Sequence, residues 1–101
     1  MFGRLRYRKV IDAQLDLFIK ENEDVLTDAA DKLDAYNRAD RAEAEELYGD
    51  YLDAVETGTE ILADMRDHYA STLEDPAQYL REFKVAVSRR LYPFALEIDN
   101  R

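Results

Sequence analysis

Cysteine and tryptophan are absent from these 101 residues, histidine occurs once, proline twice and glycine three times. Without cysteine there is no disulfide framework and no thiolate zinc site, and a reducing compartment is the natural expectation. So few breakers suit long helices better than a sheet of short strands. Long apolar runs are missing too, and no stretch approaches the roughly 20 residues needed to span a bilayer. The basic opening MFGRLRYRKV leads into no apolar run, so a secretory signal is not expected. The expectation is a cytoplasmic protein with no membrane partner.

Apolar residues make up 47% of the chain and charged residues 37%, enough for one core in a single domain over residues 1–101. The net charge of −9 is unevenly spread. Arg4, Arg6, Arg8 and Lys9 open the chain without an acid, whereas residues 11–76 hold 20 of the 23 acids against five bases. A field of that sign repels nucleic acid and anionic lipid over most of the surface. The plainer reading of that acidity is a solubility or salt adaptation, since Asp is abundant and Lys scarce beside Arg; the other is a functional role.

The strongest pattern is a 4-3 spacing through Ala44, Tyr48, Tyr51, Val55, Gly58, Leu62, Met65, Tyr69 and Thr72. That rhythm belongs to a helix packed lengthwise against another, here over about residues 41–74. Gly58 lies on this seam and reads as a close approach of two backbones; Gly49 lies off it with no evident role. Upstream, Ile11, Leu15, Phe18, Val25, Ala29 and Tyr36 keep the same spacing, with Asn22 and Lys32 in the gaps. They predict a first helix over about 5–36, with Asn22 or Thr27 as places for a break. Asn37 and Arg38 suit its end, and Asp40 with Glu43 resembles a capping box for the second. Asp75, Pro76 and Gln78 read as N-cap, first helical residue and N3 partner of a third helix. That helix covers about 76–92 with Leu80, Phe83, Val87, Leu91 and Phe94 on one face. Pro93 breaks or kinks it, leaving room for a further turn to 99. The predicted fold is all-α, a long antiparallel hairpin plus a shorter third helix, a three-helix bundle.

Before Pro93 the third helix covers only about half of such a hairpin. The second helix also carries Leu47, Ala54 and Ile61 on one flank of its seam and Leu52 and Leu73 on the other. Leu26, Leu33, Leu47, Tyr51 and Leu52 are therefore expected to stay partly bare near the hairpin turn, which marks a partner site. The partner is a second copy, two tips pairing into a four-helix bundle, or another protein; coverage by the segment after Pro93 would instead leave a monomer.

Chemistry finds little support. A di-iron bundle needs inward Glu residues and a Glu three positions before a His. His68 has Met65 there and Asp64 at four, while Glu46, Asp50, Asp53, Glu60, Asp64 and Asp67 follow the face opposite the seam. Ser71 and Ser88 lack a glycine-flanked turn, and no Gly-rich phosphate loop is present. No catalytic, cofactor or metal residue is assigned, and the chain is not expected to be an enzyme. The turn Tyr36–Arg41 lacks the Trp-x-Gly of small secreted helical hairpins of the WXG100 type, and the inward arginines and lysine of three-helix chorismate mutases are missing, so neither family's residues transfer. The function expected is association, as a homodimer or adaptor. Alternatives are a bundle binding a small ligand or metal near Asn22, Tyr48 and Tyr51, and an acidic decoy for a basic nucleic-acid-binding partner.

Overall fold

In the computed structural model, which describes residues 5–101, the first predicted helix is two. α1 covers Arg8–Glu21 and α2 covers Glu23–Asn37. Asn22 separates them: its backbone leaves the helical region at φ −123° and ψ 35°, and its side-chain amide donates to the Phe18 carbonyl at 3.0 Å beside the ladder N–H. Asparagine favours such local bonds over the helix ladder. Thr27 causes no interruption. The break lets α1 pack against α4 while α2 packs against α3.

The remaining elements are α3 (Ala44–Ala70), α4 (Ala77–Arg90), a 3-10 turn at Tyr92–Phe94 and α5 (Ala95–Asp99). The fold is all-α, with α2 and α3 forming the hairpin, but the described residues form five helices instead of three. α3 is shorter than expected at both ends. Before it, Asp40 accepts the Glu43 N–H at 3.1 Å, the half of the capping box that fixes the turn. After it, the Ser71 and Thr72 hydroxyls donate to the His68 and Tyr69 carbonyls at 2.7 Å and end the ladder. At α4, Asp75 accepts the Ala77 N–H, while Gln78 turns away from its expected capping role and donates to Glu82 at 2.8 Å. Pro93 does end α4, and the chain folds back through the 3-10 turn into α5.

The core lies at one end of a molecule measuring 52 × 25 × 19 Å. Ile11, Leu15 and Phe18 of α1 meet Val55, Leu62 and Ala63 of α3, Tyr79, Phe83 and Val87 of α4, and then Leu91, Phe94 and Ile98. Gly58 sits inside this body. A Cβ there would meet the Phe94 ring, with Cζ only 2.9 Å away. The close approach expected at Gly58 is therefore an aromatic ring seated on the helix, not a second backbone. Gly49 has nothing within 4 Å of the place a Cβ would take. Gly49→Ala should raise stability by about 1 kcal/mol through helix propensity alone, measurable as a higher urea midpoint with unchanged slope.

The basic start of α1 has a specific remedy. Positive side chains at a helix N-terminus oppose the macrodipole. Glu82 of α4 supplies the missing negative charge, its carboxylate accepting the N–H groups of Arg6 at 3.2 Å and Tyr7 at 2.9 Å. Arg4 lies outside the described residues. Glu82→Ala should cost about 1–2 kcal/mol, the range of a lost cap, read as a lower thermal midpoint by circular dichroism.

Candidate functional site

α2 and the first half of α3 project from the body as a two-helix arm. Residues 23–57 carry twelve acids against three bases, the whole of the chain's net charge of −9. Within the arm, Ala29, Ala54 and Val55 are the well-buried apolar residues, the last two where it joins the body. Small side chains on α2 let the helices approach but bury little apolar surface.

Lys32, the cation on the inward face, has a role in this charge layout. Its Nζ donates to both Asp28 oxygens, at 2.9 and 3.0 Å. That bond holds the ammonium pKa above its ordinary value, and Asp50 and Asp53 across on α3 add to the effect. These groups border a cleft of about 220 Å³ with Ala54 and Thr57. Lys32 thus softens the repulsion between acids on the two helices.

On the arm, Tyr36, Tyr48 and Tyr51 form a ladder, with centroid separations of 5.0 Å between the first pair and 6.2 Å between the second. Burial is the main cause that raises the Tyr51 pKa, with Tyr48 adding to it. Tyr48 and Leu52 remain 44% and 40% exposed. Of the predicted contact residues, Leu26, Leu33, Leu47 and Tyr51 are half-buried, and Leu26 and Tyr51 pack on the edge of the core. They do not form one patch. Leu47 and Leu52 are five residues apart, about 140° around α3, so no single flat surface meets both. The open strip is instead Glu45, Tyr48, Gly49 and Leu52, which share a flank at helical spacing.

The residues expected to line a ligand pocket do not act together. Asn22 directs its amide to the Phe18 carbonyl, and Tyr48 and Tyr51 belong to the ladder. Among the described residues, no three His, Asp or Glu side chains converge on a position for a metal ion. His68 is exposed, as are Glu46, Asp50, Asp53, Glu60, Asp64 and Asp67. No helix among the described residues is long and apolar enough to cross a membrane.

A second surface lies on the body. Between α1 and α4 runs a groove of about 440 Å³, floored by Leu5, Ile11, Val85 and Ala86 and rimmed by Arg8, Arg81, Arg89 and Arg90. Leu5 and Val85 are 49% and 47% exposed. Arg90 is committed to α1, donating to Asp16 Oδ1 at 2.7 Å, and Arg8 lies 4.0 Å from Asp12. Arg81 and Arg89 form no ion pair among the described residues. Two acids, Asp12 and Glu82, complete the lining, so the groove is locally positive on an acidic protein. In the sequence alone, the basic start together with Arg89 and Arg90 reads as a grip on the acidic hairpin of a second copy or as a contact to phosphate, but Arg81 and Val85 carry no such signal.

No protein-family model matches this chain, and neither a curated protein nor a solved structure does.

Proposed function

We propose that this protein works by association with other proteins, as a homodimer or an adaptor, with the α2–α3 arm as its contact element. The observation that carries this reading is the open flank of α3, where Tyr48 and Leu52 stay 44% and 40% exposed on an arm only two helices thick. A tyrosine and a leucine side by side on a helix are the kind of anchors that interfaces favour over the remaining surface. The acids around them keep the arm soluble when it is unpartnered and give the contact its selectivity.

The test is a pair of measurements on the wild type and Leu52→Glu. Light scattering at tens of micromolar should give the wild type a mass above the 11.8 kDa of one chain. A single-chain mass there excludes the homodimer. For the adaptor form, a partner captured by the wild type should be lost with Leu52→Glu, while helicity is unchanged and unfolding free energy stays within about 0.5 kcal/mol of wild type. Retention of that partner by the variant would remove the arm from the contact.

A further inference from the structure

We propose that the arginine-rimmed groove between α1 and α4 is the docking site for the acidic arm of a second copy of this chain, so that two copies lie antiparallel and each arm occupies the other's groove. This deepens the association reading and rests on the arm as the contact element. It replaces the pairing of two hairpin tips with the pairing of a tip and a body.

Charge argues first. Two tips brought together would juxtapose two segments that each carry −9. Like charges face to face oppose association. The groove offers the opposite sign, and Arg81 and Arg89 stand on its rim without ion-pair partners among the described residues. Glu45, on the strip of an incoming arm, supplies a carboxylate to which a guanidinium fork of these arginines donates in bidentate fashion.

Shape argues second. The molecule is thin at the arm and thick at the body, and antiparallel pairing sets thick against thin. A two-fold axis makes the contact twice, as closed symmetric dimers do, and no end is left open to propagate a filament. Groove and strip also match in length. Arg81 to Arg89 spans about 12 Å along α4, and Glu45 to Leu52 about 10.5 Å along α3, both near two helical turns. Leu52 and Tyr48 of the second copy would cover Leu5 and Val85, the exposed parts of the floor.

Gly49 supplies the third argument. A glycine inside a helix weakens it, and within one chain nothing lies within 4 Å of the place a Cβ would take at Gly49. On the strip between Tyr48 and Leu52, that vacant position lets a neighbouring helix come close. The same residue that makes no sense in the isolated chain makes sense against α4 of a second copy.

Four readouts test this. Self-association of the wild type should weaken at least about tenfold between low salt and about 500 mM NaCl, because opposite charges pair; strengthening with salt, the sign of screened tip-to-tip repulsion, overturns the proposal. Arg81→Glu with Arg89→Glu should abolish self-association, and mixing that variant with Glu45→Arg should restore a heterodimer. Because the chain has no cysteine, single Leu52→Cys and Val85→Cys variants give a direct geometric check. Mixed under mild oxidation they should form the cross-disulfide, whereas rapid Leu52→Cys homodisulfide with no cross product places arm against arm and overturns it. Gly49→Ala should weaken the dimer while raising monomer stability.

The outcomes also separate the two readings. A dimer that survives the arginine reversals but is lost with Leu52→Glu keeps the arm and discards the groove. A wild type that stays at single-chain mass at low salt and high concentration discards both the groove and the homodimer.

Discussion

Phe94→Ala is expected to lower stability by about 3–5 kcal/mol, a large fraction of what a domain this size possesses. Phe94 is almost fully buried, meets Phe18 edge-on with ring centroids 6.1 Å apart, and lies directly on Gly58. Its removal opens a cavity where α1, α3 and the 3-10 turn meet, and Gly58 on the α3 side has no side-chain atoms to fill it. The same contact sets the sign of a second substitution. Gly58→Ala alone should destabilise by about 1–3 kcal/mol, because its methyl displaces a ring that the core holds in place. In the Phe94→Ala background the methyl has room, and helix propensity makes Gly58→Ala stabilising by up to about 1 kcal/mol. Urea denaturation of the four proteins gives the coupling energy. A Gly58→Ala effect of the same sign in both backgrounds contradicts the seated ring.

Tyr79→Ala should be comparably damaging, again about 3–5 kcal/mol, whereas Tyr79→Phe should cost only about 1 kcal/mol. The side chain is 0% exposed and its ring touches those of Tyr7, Tyr69 and Phe83. Its hydroxyl donates to Gln14 Oε1 at 2.9 Å, so the phenylalanine variant loses one bond and leaves an amide oxygen unpaired. Burial first, and then nearby Tyr69, push the Tyr79 pKa up to about 12, although the Gln14 bond acts the other way. The folded state therefore keeps a proton that the unfolded chain releases near pH 10. The contribution is complete below pH 10 and is lost as pH rises toward about 12. Denaturation midpoints measured from pH 9 to 12 should fall more steeply for wild type than for Tyr79→Phe.

The seam of α3 is readable because one helix with neighbours along its whole length must repeat its apolar residues in step. Val55, Gly58 and Leu62 are buried where the spacing puts them. Helix α4 is less readable because it is wedged between α1 and α3. Its buried residues advance by four, through Tyr79, Phe83 and Val87, and so Tyr79 is enclosed while Leu80 is only half-covered. Asn22 is marked as a weak point by its chemistry, but nothing local shows that the break turns α1 toward a helix some seventy residues away. The groove depends on that turn, which is why Arg81 and Val85 look like ordinary surface residues in the sequence. The acidity of the arm, by contrast, is plain once its ends are known. Of the five contact residues expected, the pattern correctly gathers all onto the hairpin, yet it cannot tell which flank α2 covers, and Leu47 and Leu52 part there.

The thinness of the arm also bears on how the molecule opens. α2 contributes one buried residue, Ala29, whereas α1 and α4 each bury three large side chains in the body. Amide exchange should therefore report two tiers, with α2 exchanging through a local opening that leaves the body intact. Whatever covers the arm would pull those slow and fast tiers together, and bound arms would be recognised by the disappearance of the faster one.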